Sequence, residues 1–110
     1  MWVKTGDDTI DDETLKTYAY INISSYRLKT VKALKGGKVK IPTKIAADID
    51  ILPNHMSKVL KELKDAGVAE CINEEARKGR LYRLTDLGEE IVGNLKYWEW
   101  LFRLNVASKT

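Results

Sequence analysis

The chain of 110 residues is poor in the groups that most chemistry needs. It has one histidine, His55, and one cysteine, Cys71. A structural or catalytic zinc site draws several such ligands together, so thiolate or imidazole metal chemistry within one chain is not expected. A single cysteine also excludes an intrachain disulfide and fits a reducing compartment. No apolar run approaches the length needed to span a bilayer. The first residues, MWVKTGDDTIDDE, lack the basic-then-apolar order of a secretory leader, so the expected location is cytoplasmic. An excess of charge of one sign is small too. Nineteen Lys and Arg against sixteen Asp and Glu leave a formal net charge of +3, which permits nucleic-acid binding without arguing for it.

Catalytic patterns are missing as well. There is no Ser/His/Asp arrangement, no dinucleotide fingerprint and no paired catalytic carboxylates, so enzyme activity and a bound cofactor are not expected. GGKVK is not a phosphate-binding loop. With Gly37-Lys38 as its Gly-Lys pair, Lys32 stands where the first glycine belongs and Val39 where Ser or Thr belongs. Asp7, Asp8, Asp11, Asp12 and Glu13 lack the order of a calcium loop and read as a solvated tail or helix entry. Internal repeats and low-complexity segments are absent.

What is present is a composition of 44% hydrophobic and 32% charged residues, ordinary for one folded domain of this size. The organising stretch is TKIAADIDILPNHMSKVLKELKDAGV, Thr43 to Val68. It reads as two helices joined by a short turn. The first runs from Thr43, a plausible cap, to about Asp48. The second starts near Pro53, since proline suits the first helical position, and stops before Gly67. Met56, Val59, Leu60 and Leu63 define its apolar face. Asn54, His55, Ser57, Lys58, Lys61 and Lys64 lie largely off it.

Around this unit the chain falls into three parts: an N-terminal segment 1–24, a central unit 25–85 and a C-terminal helix 86–110. In the first, YAYINI alternates like a strand but also suits a short helix. Ser24 or Ser25 caps a helix from Tyr26 to Lys35 that Gly36-Gly37 stops. Val39 and Ile41 predict a short strand. VAECIN and LYRLT alternate on either side of the polar loop EEARKG and predict a hairpin. Asp86 or Thr85 caps a last helix to about Leu104. Glu89 sits where a capping box with Asp86 would place it, and Gly88 and Gly93 weaken the helix. Leu87, Ile91, Leu95, Trp98 and Phe102 form one stripe; Tyr97, Trp100, Leu101 and Leu104 make the last turns apolar nearly all round.

The pattern I-A…M-S-x-V-L-x-x-L-x-x-A-G-V, carried by Ile45, Ala46, Ser57, Leu60, Leu63, Gly67 and Val68, resembles the helix-turn-helix of winged-helix transcriptional regulators. The MarR and ArsR families are the best-known relatives, and small archaeal regulators are the most similar. The likeness covers about Ser25 to Val92. It departs at Leu52, where Ser or Thr usually caps the second helix; Asp50 is an alternative cap one turn earlier.

The resemblance implies an α+β, mainly α fold: a winged helix-turn-helix with a two- or three-stranded wing sheet and a long C-terminal helix. It favours helix for YAYINI. It implies double-stranded DNA as partner and a homodimeric regulator as function. The second helix would enter the major groove with Pro53, Asn54, His55, Ser57 and Lys58, where Asn suits adenine and Lys suits guanine or phosphate. Lys44, Lys61 and the wing-tip residues Arg77, Lys78 and Arg80 would meet backbone or a narrow minor groove. Charged hairpin tips are ordinarily just solvated, and His55 is as readily solvated as bound.

The apolar circumference of the last helix needs a cover. One cover is a second copy, through Trp2, Leu95, Tyr97, Trp98, Trp100, Leu101, Phe102 and Leu104. The other is the chain's own N-terminal segment. A protein-interaction module using the same helix is the rival function, and a small-molecule effector against Tyr97, Trp98 or Trp100 is a third arrangement. A redox role for Cys71 is a minor hypothesis, because it needs an exposed, acidified thiol.

Overall fold

The computed structural model describes residues 12–108. Trp2 and the acidic run through Asp11 lie outside the described residues, as does the side chain of Phe102. The elements are α1 (Asp12–Asn22), α2 (Ser25–Ala33), α3 (Pro42–Ile49), α4 (Pro53–Asp65), β1 (Ala69–Cys71), β2 (Tyr82–Leu84), α5 (Asp86–Gly93) and α6 (Leu95–Ser108). One apolar cluster draws on all of the helices and on both ends of the hairpin.

YAYINI is helical, within α1. Its strand-like alternation gives way because Leu15, Tyr18 and Ile21 are the buried positions, and they align only on a helix. Of the two serines offered as a cap, Ser24 takes the role: its hydroxyl accepts from the Arg27 N–H at 3.3 Å. Gly36 and Gly37 both have left-handed φ, +84° and +77°, and turn the chain toward α3.

The helix-turn-helix begins one residue before the expected start. Pro42 is the first helical residue of α3 and Ile41 occupies the cap position without a side-chain bond, so Thr43 lies inside the helix. Asp50 does not cap α4. It ends α3 in the left-handed region (φ 59°, ψ 54°), a conformation that Asp tolerates better than most residues. Leu52 stands at the cap of α4 with no side-chain bond, and Pro53 follows it. The proline removes one of the unpaired N–H groups a cap would otherwise satisfy. At the far end Gly67 (φ 77°) closes a Schellman motif: the Val68 N–H donates to Leu63 O at 2.9 Å and the Gly67 N–H to Lys64 O at 3.0 Å.

The wing is antiparallel, with Ala69 opposite Leu84, Glu70 opposite Arg83 and Cys71 opposite Tyr82. The strand expected at Val39–Ile41 is reduced to one bridge. Lys40 and Tyr82 exchange backbone bonds at 3.1 and 2.9 Å. The sheet therefore has two strands and a one-residue third edge.

The long C-terminal helix is two helices. It breaks at Asn94 (φ −128°, ψ 36°), directly after Gly93. Thr85 is the cap of α5, its hydroxyl accepting from the Gly88 N–H at 3.2 Å. Glu89 makes no capping box with Asp86. Its carboxylate accepts the N–H groups of Gly36 and Gly37 at 2.9 and 2.7 Å, tying the α2–α3 turn to α5. Gly88 has a packing reason: a Cβ there would lie 2.2 Å from the Val68 carbonyl oxygen. Glycine lets α5 rest on the backbone leading into β1. Gly93 has nothing near it.

Candidate nucleic-acid interface

The second helix of the turn unit is sharply amphipathic. Met56, Val59, Leu60 and Leu63 are buried, and every cation on α4 points outward. Three contacts set its position. The Arg27 guanidinium lies 3.8 Å from the Tyr20 ring centroid, donates Nη1–H to Tyr20 O at 2.9 Å and pairs through Nε with Glu62 at 3.2 Å. One α2 side chain thus joins α1 to α4. At the other end of α4, Tyr26 stacks on His55 with centroids 5.7 Å apart. His55 is exposed, and this contact gives its ring an orientation. Lys64 pairs with Glu74 and ties α4 to the base of the wing loop. That hydrogen bond holds the Glu74 carboxyl below, and the Lys64 ammonium above, their ordinary pKa values.

The wing loop is built on a polar scaffold. Asn73 Oδ1 accepts from the Leu81 N–H at 2.7 Å and its amide donates to Gly79 O at 3.2 Å. Arg80 donates to Ala76 O at 2.8 Å and to Glu74 O at 2.9 Å. The guanidinium of Arg80 is thus engaged inside the loop it was expected to extend from. Arg77 and Lys78 are exposed and make no ion pair among the described residues.

These pieces enclose a groove of about 730 Å³. Its walls are the first turn of α3 (Pro42, Thr43), the outer face of α4 (Ser57, Lys61, Lys64) and the wing tip (Arg77, Lys78, Arg80). The fold therefore gathers Ser57, Lys61, Arg77, Lys78 and Arg80 from two separated stretches. Pro53, Asn54, His55 and Lys58 are exposed on α4 but do not line the groove. Lys44 lies apart from it. With Lys40 it clamps Asp48, at 2.8 and 2.7 Å, and these two bonds pull the Asp48 carboxyl down to about 2. Lys61 pairs with Asp65 at 3.1 Å across one turn, an exposed contact worth little and easily exchanged for another anion.

The C-terminal residues divide into two sets. Trp98 (6% exposed) and Leu101 (4%) pack into the core, with Leu95 and Tyr97 partly buried against it. Tyr97 meets Trp98 edge-on at 5.3 Å. Helix α6 contacts α1, so the chain's own N-terminal helix supplies part of the cover. Trp100 (57%) and Leu104 (52%) face outward. Cys71 is buried, its thiol 3.5 Å from Asn73 Oδ1.

Tyr26, Arg27 and Asn73 were missed from the sequence. Each acts through a partner brought near by folding, although the aromatic-basic pair Tyr26-Arg27 at the start of a helix was a visible signal. Among the described residues no group of three or more His, Cys, Asp or Glu could hold a metal ion. None of their helices is long and apolar enough to cross a membrane.

A helix-turn-helix followed by a two-stranded wing defines a winged-helix fold. Solved structures bear this out. The chain superposes on a MarR family transcription regulator (TM-score 0.62, 18% identity) over 89% of its own length and 65% of that chain. It superposes on YusO from Bacillus subtilis (0.63, 16%) over 90% and 71%. The transcriptional repressor CouR, solved bound to a 23-mer DNA duplex, matches with TM-score 0.62 and 19% identity over 79% and 62%. For CouR and the MarR family regulator the chain spans less than two thirds of the relative's length. At these identities the likeness is one of fold: the chain has the winged helix of MarR-family structures. No protein-family model and no curated protein sequence matches it.

Proposed function

We propose that this protein is a sequence-specific double-stranded DNA-binding transcriptional regulator that works as a homodimer and not as an enzyme. The observation that carries the proposal is the groove between α4 and the wing, where Lys61, Lys64, Arg77, Lys78 and Arg80 converge against the one carboxylate of Asp65 beside the exposed polar face of α4. The DNA-bound repressor with the same fold supports it. In this reading the first turns of α4 enter the major groove. Asn54, Ser57 and Lys58 meet base edges, and His55 does so in the orientation Tyr26 gives it. Arg77 and Lys78 reach the backbone or the adjacent minor groove, while Arg80 keeps the loop in shape to do so. Trp100 and Leu104 supply the outward apolar face a second copy would cover. Those two side chains are also what favours the rival, a winged-helix module that binds another protein through α6.

The test is an anisotropy titration against mixed genomic duplex fragments at two salt concentrations, with mass read by light scattering on the same sample. Binding that falls steeply with salt, by a particle of twice the chain mass, is the expected result. A folded protein that binds no duplex at low salt would overturn the regulator reading in favour of the rival.

A further inference from the structure

A second basic surface lies on the other flank of α3, and the α4–wing groove does not account for it. An open hollow between α2 and α3 is lined by Lys29, Lys32, Lys38, Lys40 and Lys44. Only Asp48 and Asp50 oppose them there. Five lysines against two aspartates make a net +3, equal to the formal charge of the whole chain. The patch is thus a second local excess of positive charge beside the α4–wing groove, and the acidic residues that offset the two lie elsewhere on the chain.

The distribution inside the patch matters more than the total. Lys40 and Lys44 both bond Asp48, so that carboxylate is already shared. Lys29, Lys32 and Lys38 have no ion-pair partner among the described residues. Lys29, Lys32 and Lys38 are thus held on one face with no carboxylate paired to them and repel each other, and their heads lie outside the apolar cluster. A polyanion relieves that repulsion. The patch also adjoins the candidate interface: Pro42 and Thr43, in the first turn of α3, border the groove, and Lys44, the next residue, borders the patch.

We infer that the duplex backbone is contacted on both flanks of α3, with Lys29, Lys32 and Lys38 meeting phosphates beyond the stretch held by α4 and the wing. The inference rests on the DNA-binding reading above. These contacts set affinity and the orientation of the domain on the duplex, and carry no base preference.

The experiment compares the wild-type protein, the triple variant Lys29→Gln/Lys32→Gln/Lys38→Gln and a control, Lys16→Gln/Lys96→Gln, that removes charge from α1 and α6. Each is titrated with a fluorescent 40-base-pair duplex over a range of salt, and circular dichroism checks folding. Each lost phosphate contact flattens the slope of log affinity against log salt by roughly 0.9, and a dimer carries each substitution twice, so the triple variant is expected to lose roughly 5 and the control none. Should the triple variant fail to fold, the three single substitutions read the same quantity, roughly 1.8 each for a dimer. Equal slopes for wild type and patch variants would overturn the inference, as would a control that flattens as much as the patch variant. A wild-type protein that binds no duplex would instead remove the DNA-binding reading itself, and with it this one.

Discussion

Helices α4 and α6 have similar lengths and opposite outer faces. In α4 the buried residues form one stripe and the rest of the surface is polar, with Asn54, Ser57, Lys58 and Lys61 in solvent. In α6 Trp98 and Leu101 are buried while Trp100 and Leu104 are exposed on the other side. A helix of the first kind is complete in water and offers hydrogen bonds and charge. One of the second kind leaves apolar area uncovered, at roughly 25 cal/mol per Å². In the proposed reading the two faces therefore take chemically different partners, a polyanion for α4 and an apolar surface for α6. They lie at separate places on the molecule, so both can be engaged together.

The largest expected effect comes from the α6 side. Trp100→Asp with Leu104→Asp should reduce the particle to one chain by light scattering. Affinity for a two-half-site duplex should then fall about 100-fold or more, because each half-site must be held alone. An unchanged mass would move the apolar face to a different partner. Next is the joint between the two regions. Gly88→Ala pushes a methyl group into the Val68 carbonyl and should cost on the order of 2 kcal/mol by urea unfolding. Gly93→Ala, with open space around it, should cost nothing and serves as the control.

Smaller effects belong to the α4 side. Lys58→Ala and Arg77→Ala should each weaken DNA binding by about 1 kcal/mol per protomer and flatten the salt slope of the dimer by about 2, with unfolding unchanged. Affinity equal to wild type at matched salt would remove those two roles. Asp48→Asn should raise affinity a few-fold at low salt, since it frees Lys40 and Lys44. The same pair predicts a pH effect. Asp48 is held at about 2, below its ordinary 3.8, so its stabilising contribution is full above that ordinary value. It fades as pH falls from about 4 through about 2. An unfolding midpoint that is the same at both pH values in the wild type, or that moves as far in Asp48→Asn as in the wild type, would count against it.

Much of this architecture was legible in the order of residues. The apolar spacing of Met56, Val59, Leu60 and Leu63, with Pro53 before and Gly67 after, specifies α4 closely, because periodicity and terminators agree. Features set by contact across the fold were not legible. Glu89 has the spacing of a capping residue, yet two glycine N–H groups from another loop attract its carboxylate instead. Asp50 looked like a cap and became a left-handed stop. Arg80 looked like a phosphate ligand and holds its own loop. The lysines of the α2–α3 flank are spread from Lys29 to Lys44 and become neighbours only when α2 packs on α3. Their density in KALKGGKVKIPTK was the available clue.

The break at Asn94 has a mechanical meaning. Helix α5 is seated on the winged unit through Gly88 and Glu89, whereas α6 lies against α1. Asn94 closes one helix, its amide donating to Glu90 O at 2.8 Å, and opens the next, its carbonyl accepting the Trp98 N–H at 3.0 Å. One uninterrupted helix would act as a drive shaft, passing any rotation of the C-terminal end straight to the winged unit. With a joint in the shaft, α6 is also linked to α4 by a second path, through its packing on α1 and the Arg27 bonds to Tyr20 and Glu62.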